Sequence, residues 1–236
     1  MAMDGVYAEK AGALFCEINI LRDICALHEI SGIEGDKMSN LFDEKSRDWD
    51  KNEIVQKISS AVGEAIVQQV PLHDKMCVMD FGAGTGLISS HVAPLVEKII
   101  AVDISQAMLE KLAEKPALQG KVEIACQNII DNPLDHQSCD LIISAMAMHH
   151  VEDIDLLVQR FYEHLKPGGR VALADLDAED GSFHEPGTEG VYHLGFEREA
   201  LKKRFEKQGF KQVKLTTAHV VEKDQSYPIF LLTAQK

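Results

Sequence analysis

The chemistry-bearing feature of this chain is an acid followed by closely spaced glycines: Asp80-Phe81-Gly82-Ala83-Gly84-Thr85-Gly86. Glycines there permit positive φ and let a ligand come close to the backbone. The spacing is GxGxG. The dinucleotide fingerprint needs Gly or Ala where Leu87 stands, and the GK[ST] ending of a phosphate loop is absent. Asp80, just before the glycines, would repel a pyrophosphate and suits a ligand carrying an ammonium group. Asp103 follows about twenty residues on, where an acid can accept hydrogen bonds from both ribose hydroxyls. Taken singly, Asp80 also reads as a turn former and Asp103 as a helix N-cap. Together, with a helix between them, they read as a ligand cradle.

Histidines supply the candidates for proton transfer. His149 and His150 stand as a pair after an apolar run. They read either as a base or substrate anchor, or as residues capping the next helix. His184 lies in the glycine-rich polar segment Gly181-Ser182-Phe183-His184-Glu185-Pro186-Gly187, and His193 follows it. Long loops at the ligand end of a sheet often carry function; the alternative for both is a solvated loop histidine.

The elements that must position these residues alternate in type. Strands are expected at Lys75–Phe81, Lys98–Val102, Val122–Cys126, Asp140–Ser144 and Arg170–Leu176. Helices are expected at Leu87–Val96, Gln106–Glu114, Ile154–Leu165 and Glu197–Gln208, the last ended by Gly209. Lys166-Pro167-Gly168-Gly169 reads as a turn into the fifth strand. Strands near Gln212–Val221 and Ile229–Ala234 close the chain, joined by a polar loop that includes Pro228. Alternating strands and helices imply right-handed crossovers and a mainly parallel sheet, and the last two strands, with no helix between, an antiparallel hairpin at one edge. The fold class is therefore α/β: a Rossmann-like, seven-stranded, mostly parallel sheet with helices on both faces. Ahead of it, helices are expected over 8–30, around Phe42–Trp49 and from Glu53 to Val70. This divides the chain into an N-terminal helical cap or lid over 1–50 and a ligand-binding domain over 51–236.

The bulk numbers restrict the partners. At 236 residues with 45% apolar content, one sizeable domain can bury a core. No apolar run reaches the ~18 residues of a membrane span, and no secretory signal is visible at Met1-Ala2-Met3-Asp4. Five cysteines without CxxC spacing read as reduced thiols, hence a cytoplasmic location. A net charge of −14 disfavours direct nucleic-acid binding. The one basic stretch, Arg198 to Lys214, is interleaved with Glu197, Glu199 and Glu206 and reads as a solvated helix face.

At the glycine loop the chain resembles the class I S-adenosylmethionine-dependent methyltransferases. Four segments match in order: Val78-Met79-Asp80-Phe81-Gly82-Ala83-Gly84-Thr85-Gly86, Val102-Asp103-Ile104-Ser105 with Met108, Cys139-Asp140-Leu141-Ile142-Ile143-Ser144 followed by Met148-His149-His150-Val151, and Leu165-Lys166-Pro167-Gly168-Gly169. Phe42-Asp43-Glu44-Lys45, Trp49 and the histidine pair look closest to the broad ubiquinone/menaquinone-biosynthesis-like group of small-molecule enzymes. The resemblance implies S-adenosylmethionine as cofactor. It implies that the Gly82–Gly86 backbone, with Phe81 and Ala83, faces the methionine part. Asp80 would face the ammonium, Asp103 the ribose and Ile104 the adenine. Asn128, where relatives often carry Asp, would accept from the adenine amino group, Ile129 would pack beside the ring, and Ser144 would line the site. By its position ahead of the first strand, the segment Phe42–Trp49 reads either as a lid over the cofactor or as simple packing on the sheet edge.

Methyl transfer to a small-molecule acceptor follows as the expected activity. No metal is expected, because Ser144–His150 lacks the acid that catechol-type enzymes place there, although Asp175 and Asp177 flank the end of the fifth strand. The stretch Ser144-Ala145-Met146-Ala147 also lacks an NPPY-like tetrad, which argues against methylation of DNA adenine or protein glutamine. The other readings are a protein or RNA methyltransferase working with a partner subunit, and a cofactor-binding regulator without turnover. Oligomeric state and the methylated element stay open at this level.

Overall fold

The computed structural model describes residues 39–236 apart from Leu41 and Pro186. The helix expected over 8–30 lies outside the described residues. The chain divides into units 1–37 and 38–236, so the segment from Phe42 to Lys51 belongs to the same unit as the sheet.

Seven strands form one sheet: β1 Cys77–Phe81, β2 Lys98–Asp103, β3 Val122–Cys126, β4 Cys139–Ala145, β5 Leu165–Leu176, β6 Lys211–Glu222 and β7 Ser226–Gln235. Their order is β3-β2-β1-β4-β5-β7-β6. The first five run parallel, and β7 inserts antiparallel between β5 and β6, so the hairpin closes one edge as its lack of a crossover helix requires. The strand order reverses between β1 and β4, which opens a crevice at the carboxyl ends of those two strands.

Helices cover both faces. α1 Glu53–Gln69, α2 Leu87–Val92 and α3 Gln106–Ala113 pack on one, through Val62, Ile66, Val92, Leu109 and Leu112 against Val78, Ile99 and Leu141. α4 Ile154–His164 and α5 Arg198–Gln208 pack on the other, through Leu157, Phe161 and Phe205 against Met79, Ile100 and Ile142. The sheet residues alternate between faces because strand side chains repeat every two residues. Every residue of β1 is buried, as expected of a parallel strand covered twice. Side-chain caps start α1, α3 and α4: Asn52 accepts from Ile54 and Val55, Ser105 from Met108, and Asp153 from Leu156.

Three local expectations are corrected. Lys166–Gly169 is not a turn ahead of β5 but an irregular stretch within it: Cys139 pairs with Leu165 and Leu141 already with Arg170, so the extra residues bulge out. Pro228 stands inside β7, opposite Val220, rather than in the connecting loop. It lies one residue beyond the last β5 pair, Leu176 with Ile229, and its carbonyl takes the Asp177 N–H. The helix expected around Phe42–Trp49 is broken: residues 42–45 are helical, 46–48 turn, and a short 3-10 helix spans Trp49–Lys51. Among the described residues no helix is long and apolar enough to cross a membrane.

Candidate active site

β1 delivers Asp80 and then the glycine loop to the crevice. Asp80 shares the face of Val78, toward α2, and accepts from Ser89 Oγ at 2.6 Å. It is buried, and burial pushes its carboxyl up to about 7, with the charge of Asp103 adding and the Ser89 hydroxyl opposing. Gly82 has φ +66°, and a Cβ there would lie 2.4 Å from the Cβ of Ala147, so only glycine lets the loop pass the segment after β4. At Gly84, φ is +51° and a Cβ would meet no atom within 4 Å, which leaves the backbone open to a ligand.

Asp103, at the end of β2, turns into the same crevice. Its Oδ2 accepts from Gly84 N at 2.7 Å and its Oδ1 from Ser105 N at 2.9 Å. The carboxylate keeps acceptor capacity for a hydroxyl donor. Burial pushes this carboxyl up too, although three backbone N–H groups work against it. Two desolvated acids around a glycine loop form a cradle for a cationic, ribose-bearing ligand, and they resist a pyrophosphate. The residues present therefore fit S-adenosylmethionine, which supplies a methyl group on a sulfonium with a neutral thioether as leaving group.

A strap from Phe42 to Lys51 borders the cradle. Asp43 Oδ1 accepts from Ser105 Oγ at 2.5 Å and from Ala107 N at 3.2 Å, joining the N-terminus of α3. Asp50 accepts from Thr85 Oγ1 in the glycine loop at 2.5 Å, and its other oxygen pairs with Lys115 Nζ at 2.8 Å. Trp49 is half-buried, edge-on to Phe42, and Phe42 meets the His150 ring at 5.1 Å. Asp50 and Lys115 do not stand out in the sequence as site residues, because the bonds of Asp50 to Thr85 and Lys115 span tens of residues.

The segment after β4 carries the histidines. Ser144 Oγ donates to the Phe81 carbonyl at 2.7 Å, which locks β4 to β1 at the crevice. Met146 takes φ +58°, uncommon for a residue with a side chain, and its N–H bonds to Ala174. The chain then turns past Gly82 and delivers His149, 1% exposed. His149 Nδ1 lies 2.7 Å from Asp175 Oδ1, and its backbone N–H reaches Asp175 Oδ2 at 3.2 Å. Because a carboxylate only accepts, Nδ1 carries a proton, which in the neutral imidazole leaves the lone pair on Nε2. That Nε2 is buried and has no hydrogen-bond partner. Burial pushes the Asp175 carboxyl up, but the charge and hydrogen bond of His149 together with two backbone N–H groups outweigh it, and the net shift is downward.

His150 and His184 complete a cluster with His149, at ring-centroid distances of 4.1 Å and 5.1 Å from it. Burial, reinforced by His149 when protonated, pulls His150 down to about 3 and His184 down to about 4. His150 donates from Nδ1 to the Gly190 carbonyl at 2.6 Å. His184 Nδ1 and Glu179 Oε1 are two further buried polar atoms without a partner, and the Glu179 charge is felt at His184. Glu179 holds the loop through Oε2, which accepts from Gly181 and Phe183.

His193 is not part of this cluster. Its Nε2 is spent on the carbonyls of Val151 and Glu152 and its ring packs on Phe196, so it braces the loop. Asn128 is exposed: its Oδ1 accepts from Ile130 N and its amide group donates to Asp131, a local turn. Ile129 is wholly buried in the core with Phe81 and Val102, and Met108 is buried in α3. Ile104 is half-buried beside Asp103. Arg198, read from sequence as solvated, instead forms a forked pair with Asp177 at 2.7 and 2.8 Å that fixes the chain just after β5. Among the described residues no cluster of three or more potential metal ligands converges.

Residues 79–173 match a family model described as a methyltransferase domain. An uncharacterized methyltransferase of Schizosaccharomyces pombe is 31% identical over 168 residues, covering 64% of this chain and 57% of that protein. A malonyl-[acyl-carrier protein] O-methyltransferase of Marinomonas is 30% identical over 154 residues, covering 63% of this chain and 54% of the relative. The chain thus spans little more than half the length of these two relatives. Among solved structures, Haemonchus contortus phosphoethanolamine N-methyltransferase 2 in complex with S-adenosyl-L-methionine superposes with a TM-score of 0.62 at 18% identity, covering 74% of this chain and 52% of that one. That likeness shows the fold.

Proposed function

We propose that this chain, which carries an S-adenosylmethionine-dependent methyltransferase domain of the class I fold, moves the methyl group of that cofactor to a small-molecule acceptor held beside the glycine loop. The observation that carries the reading is the juxtaposition of two compartments. The acid-lined cradle of Asp80, Gly82–Gly86 and Asp103 meets the histidine cluster through the contact between Gly82 and Ala147.

In this reading Asp80 holds the ammonium of the cofactor, Asp103 the ribose hydroxyls, and Ile104 one face of the adenine. Asn128, Ile129 and Met108 border the adenine end, and Ser144 and Trp49 close the sides. One buried and one half-buried carboxylate favour a ligand of net positive charge, and the transition state disperses that charge onto the acceptor. Holding donor and acceptor in line supplies much of the acceleration, with ideal alignments worth about 7–11 kcal/mol. His149, His150 and His184 line the acceptor side, and His193 supports them through the loop. A compact acceptor agrees with the net charge of −14, which disfavours polyanions.

The test is label transfer. The purified chain is incubated with S-adenosylmethionine labelled in the methyl group and with pooled small acceptors. Label in a small product, lost on Asp103→Ala, is the expected result. Label only in added protein or RNA would overturn the small-molecule reading. Binding without any transfer would favour the regulator.

A further inference from the structure

Asp175, His149 and the two unpaired atoms beside them form a device that cofactor binding does not require. Asp175 is wholly buried and ionised, both its oxygens accept hydrogen bonds, and it holds the neutral His149 as the tautomer with a bare Nε2. A buried nitrogen lone pair without a partner is costly in a folded protein, and such atoms call for a specific donor. Methyl transfer to a carboxylate or a thiolate needs no base, so an oriented imidazole would serve nothing there. The surroundings specify more. In the row Phe183, His184, His149, His150 successive ring centroids stand 5.0, 5.1 and 4.1 Å apart, and Phe42 adds its edge on the strap side. Such a wall suits a flat aromatic ring.

We infer that His149 is the general base for the reaction, that Asp175 is its positioning residue, and that the acceptor is an aromatic hydroxyl which still holds its proton at neutral pH. This rests on the methyl-transfer reading above. His149 Nε2 takes the hydroxyl proton while the phenolic oxygen forms a bond to the methyl carbon. The electron pair of the carbon–sulfur bond goes to sulfur, which leaves as the neutral thioether, and the imidazolium returns its proton to solvent. Asp175 stays ionised throughout. His184 Nδ1 and Glu179 Oε1 remain to bond a second polar substituent of the ring.

The experiment uses the full chain and two probes, phenol and the far more acidic 4-nitrophenol, with benzoate and butylamine as alternative acceptors. Wild type should methylate both phenols. His149→Gln should lose about 10²–10⁴-fold in kcat on phenol and much less on 4-nitrophenol, which is largely ionised without help. Asp175→Asn should lower kcat on phenol with KM unchanged, as a misaligned base would. A readout without turnover accompanies these. With S-adenosylhomocysteine bound, 4-nitrophenol should show its phenolate absorbance band on wild type at a pH where it is protonated in water, and no such band on His149→Gln. Unchanged melting temperature and cofactor affinity certify that the variants fold. Equal phenol turnover by His149→Gln, or methyl transfer to benzoate or butylamine alone, overturns the inference and leaves the methyltransferase reading intact. No cofactor binding by wild type overturns both.

Discussion

Replacing Asp80 by Asn should stabilise the protein and weaken its cofactor site at once. The Asp80 carboxyl is pushed up to about 7, chiefly by burial, whereas in an unfolded chain it titrates near ~3.9. A raised acid stabilises the fold fully below the unfolded value, and that contribution disappears as pH rises through the folded one. Between the two, the unfolded chain releases a proton that the native state keeps, so relative stability falls by about 1.4 kcal/mol per pH unit. By pH 8 the accumulated cost is about 4 kcal/mol. Asn keeps the shape and can still accept from Ser89, but it brings an amide donor whose burial unpaired costs about 1–3 kcal/mol. The net gain at pH 8 is therefore roughly 1–3 kcal/mol, or about 2–12 °C in Tm for a domain of this size. At pH 4, where almost none of that cost has accumulated, the amide term alone remains and the variant is the less stable protein by about 1–3 kcal/mol. Thermal melts of both proteins at the two pH values test this. S-adenosylmethionine affinity should move the other way, by about 30-fold or more, because a buried charge pair loses one partner. A variant no more stable than wild type at pH 8, or equally shifted at both pH values, would refute the reasoning.

Other outcomes follow from the same geometry. Cofactor affinity of the wild type should fall about tenfold per unit below pH 7, as Asp80 must release its proton to pair with an ammonium; a flat profile between pH 5.5 and 7 in titrations would contradict this. Gly82→Ala should unfold or severely loosen the glycine loop, since its Cβ would sit 2.4 Å from Ala147 at φ +66°. The strain is worth about 1–3 kcal/mol, read as a lower Tm and lost cofactor binding. Asp50→Asn should free the strap from Lys115 and loosen its bond to Thr85, raising the cofactor dissociation rate and blunting the change in Trp49 fluorescence on binding. Unaltered dissociation would remove the strap from the account.

The glycine loop, β2 with Asp103, and the bounds of β3 were readable because glycine spacing and strand burial are local signals. The edge hairpin followed from the missing crossover helix. What was not readable is long-range. His149 lies in the turn after β4 and Asp175 near the end of β5, and no local pattern says that the two pair. One signal was present: Asp175 interrupts the apolar run Val171-Ala172-Leu173-Ala174 before Leu176, and an acid inside a buried strand needs a partner. His193 looked equivalent to His184 from its loop alone. Only folding shows that its Nε2 is consumed by two carbonyls. The strap bonds from Asp43 and Asp50 depend on where α3 and the glycine loop end up, which no local pattern encodes.

The acid-lined cradle for S-adenosylmethionine at the carboxyl ends of β1 and β2 is tested most directly by isothermal titration with S-adenosylmethionine and, separately, with NAD. One saturable site on the order of micromolar for the former, lost in Asp103→Ala, and no heat from the latter is the predicted result. A folded protein that ignores S-adenosylmethionine, or that binds NAD in its place, would contradict the account.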